Sequence, residues 1–262
     1  MKRKHILLAV LLLSTIIFSC KKNAVQNIAE PINGGAQLKY FNFALNAPII
    51  NFYANETKVS AASSTTGVES ATAGVAYAAV YPSTNAYSII PAGTYDFMAK
   101  RPSTATVDPN VVIATLNKQV ADGKNYSIYL SGLYNTTTKK TDAFIIDDVL
   151  PPIDSSTAYV RLVHACYNAN AFDLIMKNTT TSVETLVGTN VAYKTASNFT
   201  KIPQGVYDLI LRYTGTPTNI VIRTAVSVIK SNTYSFSLRG DITLPYTGTV
   251  VNRPFIDNTP NR

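Results

Sequence analysis

The chain has no tryptophan, two cysteines and two histidines among its 262 residues. His5 and Cys20 sit near the N-terminus, leaving a single His164 and a single Cys166 in the remainder. A zinc site built on several imidazoles is thereby excluded, and one remaining thiol makes no internal disulfide framework. Charged residues are also scarce, at 15%, which is low for a helical surface, and no long amphipathic helix is legible. No block of five like charges occurs, so nothing supports nucleic-acid binding. Phosphate-binding loops, dinucleotide fingerprints and nucleophile elbows are all missing.

Long hydrophobic runs are missing too, with one exception. Ile6 to Phe18 is apolar, follows the basic Lys2, Arg3 and Lys4, and leads into Ser19-Cys20. At thirteen residues it falls short of the roughly 20 that span a bilayer. The order is that of a secretion signal, and its end resembles the lipobox, where cleavage precedes a cysteine that is then lipidated. Residues 1–19 are expected to be a lipoprotein signal, Cys20 the lipidated residue, and 20–35 a polar tether ending in Gly34-Gly35. Loss of 1–19 leaves 20 basic and 15 acidic residues, a net charge of +5. Lys21-Lys22 carries no aspartate of the kind that retains enteric lipoproteins at the inner membrane. The expected location is the outer membrane of a Gram-negative bacterium, with the lipid anchor as membrane partner.

Sixteen tyrosines and ten phenylalanines, with many Val, Ile and Thr, favour β structure. Four blocks recur in order. Leu38 to Pro48 matches Val160 to Asn170, Gly74 to Tyr77 matches Asn190 to Tyr193, Ile90 to Asp96 matches Ile202 to Asp208, and Asn125 to Gly132 matches Thr233 to Gly240. The offset between copies falls along the chain, through 122, 116, 112 and 108 residues. Length changes confined to the intervals make the blocks packed elements and the intervals loops. The period exceeds the 20–50 residues of a solenoid unit, so this is a duplicated domain.

Inside the blocks the apolar pattern alternates. Val160, Leu162, His164 and Cys166 share one strand face, and Tyr159, Arg161, Val163 and Ala165 the other. Pro91-Ala92-Gly93 and Pro203-Gln204-Gly205 each place a turn before a strand, with proline presetting φ and glycine tolerating a positive one. Many short strands with such turns predict sandwiches or small barrels. The expected domains are 36–150 and 158–262, joined by a Pro151-Pro152 linker over 151–157, with Asn258 to Arg262 a frayed end.

These blocks resemble the DUF4397 family, whose pattern has an apolar strand running into a His-Ala-Ser-Pro-Asp-Ala-Pro-like turn, then a Val-Pro-Ala-Gly-Thr-Tyr-like turn and strand. The second copy carries Val163-His164-Ala165-Cys166-Tyr167-Asn168-Ala169-Asn170, and the first keeps Ile90-Pro91-Ala92-Gly93-Thr94-Tyr95. Copy one lacks the histidine and copy two has cysteine for serine, so chemistry on those side chains would not be shared. The resemblance covers about 36–132 and 158–240. It implies an all-β chain of two tandem immunoglobulin-like sandwiches and assigns no activity.

His164 and Cys166 stand two residues apart on one strand face, about 7 Å by strand rise, beyond hydrogen-bond reach. The expectation is a strand-end histidine bonding the following turn, with Asn42 doing the same in copy one, and no catalytic residues. Asp142, Asp147 and Asp148 cluster near the end of the first domain, the place for a structural calcium ion if there is one; no other cofactor is expected. Tyr77, Tyr81, Tyr87, Tyr167 and Tyr193 fall in or beside loops, where ring and hydroxyl suit a polar ligand. The expected function is a non-enzymatic envelope lipoprotein that binds or scaffolds through loops at the sandwich ends. A glycan or an envelope protein is the expected partner, and polysaccharide capture is the second reading.

Overall fold

The computed structural model describes residues 34–60 and 74–262; the signal, Cys20 and the tether up to Asn33 lie outside them. Every regular element among the described residues is a β-strand. The first copy contributes β1 (Ala36–Asn42), β2 (Asn51–Ala54), β3 (Thr57–Lys58), β4 (Ala79–Tyr81), β5 (Ser88–Ile90), β6 (Gly93–Lys100), β7 (Val112–Val120), β8 (Asn125–Asn135) and β9 (Lys140–Asp147). The second contributes β10 (Ala158–His164), β11 (Phe172–Asn178), β12 (Glu184–Val191), β13 (Thr200–Ile202), β14 (Gly205–Tyr213), β15 (Asn219–Val228), β16 (Thr233–Arg239) and β17 (Phe255–Pro260).

Each copy folds as an immunoglobulin-like sandwich. In the first, a sheet ordered β4-β1-β8-β9, with β5 also on β1, faces a sheet ordered β3-β2-β6-β7. In the second, β13-β10-β16-β17 faces β12-β11-β14-β15. The opening strand of each copy runs parallel to a late one, β1 with β8 and β10 with β16. The alternation read from the sequence sets the cores. Leu38, Tyr40, Ile128 and Leu130 point into the first, and Val160, Leu162, Phe236 and Leu238 into the second.

The recurrent Ile-Pro-x-Gly-x-Tyr block has a structural cause. Tyr95 Oη donates to the Pro91 carbonyl at 3.0 Å and Tyr207 Oη to that of Pro203 at 2.8 Å, so each tyrosine clamps the turn that precedes it. The glycines serve differently from the expected positive φ. Neither Gly93 nor Gly205 adopts one. A Cβ on Gly205 would stand 3.2 Å from the Tyr207 ring, and one on Gly93 would stand 3.4 Å from that of Tyr95. At Gly205 the missing side chain makes room for the clamp, whereas at Gly93 the contact would be an ordinary one.

The C-terminus differs from expectation as well. Asn258 to Pro260 belong to β17, paired with β16, Asn261 is buried, and Arg262 Nη2 donates to the Pro151 carbonyl at 2.5 Å. Buried hydrogen bonding, invisible to composition, holds this end.

The two sandwiches form one compact body from Gly34 to Arg262. The central strands β1, β8, β10 and β16 are buried along most of both faces, inward against their own cores and outward against each other. Phe41, Phe43, Tyr129 and Phe144 of the first copy cluster with Val163 and Ala165 of the second, and Val80 and Ala196 pack at the margin. Tyr129 is stacked between Phe41 and Phe144, with ring centroids 4.2 and 4.9 Å away. By the repeat offsets Phe41 is the counterpart of Val163, Phe43 of Ala165, Val80 of Ala196, and Tyr129 of Ser237. The contact therefore joins equivalent faces about a pseudo-twofold axis, as in an isologous dimer. Large side chains lie on one side and small ones on the other, so the halves interdigitate at interior density.

Candidate functional site

The residues singled out in the sequence divide by where this contact places them. Tyr77 Oη accepts from Arg239 Nη1 at 3.3 Å, and Tyr193 Oη bonds Ser131 Oγ at 2.7 Å. Tyr77 and Tyr193 are counterparts, as are Ser131 and Arg239, so these are one contact made twice about the pseudo-twofold. Tyr87 Oη donates to Asp148 at 3.1 Å and accepts from Asn261 Nδ2 at 2.8 Å. Tyr81 lies in β4 and packs on the first core near Tyr40. Tyr167 is half-buried and has neither kind of tie. Expected as exposed ligand platforms, three of the five tyrosines fasten the sandwiches together and a fourth packs, partly buried, against a core.

The three aspartates are not brought together. Asp142 pairs with Lys194 at 2.5 Å, Asp147 with Lys118 at 2.9 Å and Asp148 with Arg161. Among the described residues no group of three His, Cys, Asp or Glu is arranged to hold a metal ion. Asp148 and Arg161 are both buried and sit in a closed ring of polar groups. Ser127 Oγ also donates to Asp148 at 2.7 Å, Arg161 Nε donates to Ser235 Oγ at 2.8 Å, and Ser235 Oγ donates to Asn261 Oδ1 at 2.8 Å. Asn261 and Tyr87 close the circuit back to Asp148. A buried ion pair of this kind is tolerated when its remaining lone pairs and protons are satisfied. Lys39, the counterpart of Arg161, is buried close by and donates to the Thr84 carbonyl at 2.5 Å. Burial pulls its pKa down to about 8, against the opposing field of Asp148.

His164 is wholly buried. Its Nδ1 accepts from the Cys166 N–H at 3.2 Å, which leaves Nε2 protonated to donate to the Asn170 carbonyl at 3.0 Å. Asn42 Nδ2 donates to the Pro48 carbonyl at 3.3 Å, the same bond at the counterpart positions. Burial lowers the histidine pKa to about 4 and pushes the Cys166 thiol up to about 12. Asp173, the acid nearest in sequence, accepts from Asn190 N and Thr214 Oγ1, each at 2.8 Å. Asp96 and Asp208 likewise bond locally, to Asn117 Nδ2 at 2.6 Å and Ala225 N at 3.0 Å. The pattern is neutral structural imidazole, inert thiol and turn-bonding acids.

Three arginines converge elsewhere, at the end of the second sandwich where the Gly240–Pro254 loop joins β16 to β17. Gly240 has φ +104°, and a Cβ there would stand 2.3 Å from the Arg253 carbonyl oxygen, so only glycine lets the loop fold back. The guanidinium carbons of Arg223, Arg239 and Arg253 stand 5.0, 5.3 and 4.7 Å from the Phe255 ring centroid. Arg239 Nε bonds Asp257 at 2.5 Å. Two cavities, of about 510 and 430 Å³, open beside Phe255 and Arg253 and share both residues. Larger clefts flank the linker, at about 680 and 560 Å³; on their walls Arg161, Lys194 and Asp147 are paired, while Lys124 and Arg262 have no ion pair among the described residues. Reading by motif missed the arginines because they come from β15, β16 and a loop, with no shared spacing.

Comparison with curated proteins finds no match. The family described as Domain of unknown function (DUF4397) matches twice, over residues 36–175 and 158–259. The second match spans β10 to β17, and the first runs from β1 through the linker into β11. Between them these matches cover both sandwiches, and the chain belongs to the DUF4397 family.

Proposed function

We propose that the chain is a non-enzymatic lipoprotein of the cell envelope, held by lipid at Cys20, whose two sandwiches act as one rigid extracytoplasmic binding or scaffolding module. The observation that carries this reading is the two-sided burial of β1, β8, β10 and β16. It commits the outward faces of these strands to the sandwich contact and leaves end loops such as Gly240–Pro254 to meet a partner. The non-enzymatic part is supported by His164 and Cys166, whose polar atoms are buried and bonded to backbone. Polysaccharide capture through tyrosines draws support from Tyr167 alone of the five. The outer membrane follows from the residues after Cys20 and from nothing else.

The test is acyl labelling and fractionation of the full chain beside Cys20→Ser. Incorporation of a labelled fatty acid and recovery in the outer-membrane fraction, both lost in the variant, are expected. An unlabelled chain, or equal membrane recovery of the variant, would overturn the lipoprotein reading.

A further inference from the structure

We propose that the arginine rim around Phe255 is a binding site for an oxyanion, a phosphate, sulfate or carboxylate group carried by the ligand. The proposal deepens the binding-module reading and rests on it. Three guanidiniums converge on one ring, while a single carboxylate, Asp257, is bonded to one of them. Arg223 spends Nη1 on the Ile256 carbonyl at 2.6 Å, and Arg253 spends Nη1 on that of Tyr246. Neither has an ion pair among the described residues, whereas the third, Arg239, pairs with Asp257.

Gathering like charges in a half-buried place opposes folding unless something compensates. Cation–π contact with Phe255 compensates in part. The nitrogens left over present the planar fork that takes a phosphate, sulfate or carboxylate by two parallel bonds. Burial lowers the pKa of Arg223, with Asp257 opposing that shift and Arg239 adding a smaller part to it. The adjoining cavities fall within the range of small-molecule sites. Exposed Val250 and Val251, at 54% and 72% of full exposure, line the smaller one and offer an apolar contact beside the charge.

The test is calorimetric melting of the full chain in detergent, at ionic strength held constant with chloride, against sodium phosphate, sulfate and glucuronate. A saturable rise in melting temperature with at least one of them is expected. Arg253→Gln should weaken apparent affinity at least tenfold, and Lys118→Gln should not. If Arg253→Gln does not fold, Arg223→Lys keeps the charge, loses the fork and should weaken affinity several-fold. A sulfated and an uncharged oligosaccharide of equal length then separate a free anion from one borne on a glycan. A flat response to every oxyanion, or a rise that persists unchanged in the arginine variants, would overturn the site. That result leaves the module reading standing, because Cys20 labelling judges it independently.

Discussion

Tyr129 and Ser237 are the same position in the two copies, and they meet with hydroxyl oxygens 3.4 Å apart. A residue and its own counterpart face each other only beside a twofold axis, so this pair marks where the pseudo-symmetry of the contact runs. The asymmetry around it is one of volume, with a ring on one side and a hydroxymethyl group on the other.

That volume match is open to a swap. Phe41→Val should leave a cavity and cost about 1–3 kcal/mol, and Val163→Phe should overpack the contact at a similar cost. Because both sit in one cluster, the double variant should cost less than the two singles combined. Denaturant unfolding of all four proteins checks this. Strict additivity would mean that the two positions do not share a boundary.

The polar circuit gives a second contrast. Asp148→Ala strands Arg161 and should cost about 3–5 kcal/mol. Adding Arg161→Met removes the stranded charge and should recover a large part of the loss, read from denaturant midpoints at unchanged slope.

A third concerns acid. His164 has its pKa lowered in the folded chain from 6.5 to about 4, so between those values the unfolded chain binds the extra proton. The stability due to neutral His164 is therefore complete above pH 6.5 and drains away as pH falls toward 4, by about 3 kcal/mol. His164→Asn, which copies Asn42, should remove this component. Stability against pH for the two proteins, compared as a difference, isolates it from the carboxylates.

The thiol supplies a fourth. Cys166 is buried, and its Sγ donates to the Gly240 carbonyl at 3.1 Å. Little thiolate forms with the pKa near 12. A disulfide reagent at pH 8 should label Cys166 only as fast as the chain opens, with a rate that saturates in reagent. Labelling proportional to reagent would show a locally open site.

Much of the fold was legible because period-two alternation and the turn blocks act locally. The four blocks fall mainly on β1, β6, β8, β10, β14 and β16, with the ends of β5, β12 and β13 and the adjoining loops, and the Asn42 and His164 bonds follow from strand ends meeting turns. The contact between the sandwiches was not legible. Phe41, Tyr129 and Val163 occupy the strand face that ordinarily meets solvent, and a strand buried on both sides loses its alternation without saying what covers it. The loop tyrosines were misplaced for the same reason, since a hydroxyl that bonds a second sandwich looks in sequence like one awaiting a ligand. The arginine rim needed three elements in space before it existed.

The parallel pairing of β1 with β8 also has a mechanical meaning. Gly35 N is bonded to Asp122 and the Gly35 carbonyl accepts from Gly123 N, so a tension applied at Gly34 would act at the start of β1. Arg239 of the rim lies at the far end of β16, six residues beyond Thr233, where the Arg262 carbonyl is bonded, or about 20 Å of strand. A load applied at that rim and resisted at Gly34 would run lengthwise through β1, whose ladder to β8 extends from Gln37 to Asn42. Those hydrogen bonds would have to shear together instead of peeling one at a time, which is the stiffer way to hold a strand under tension.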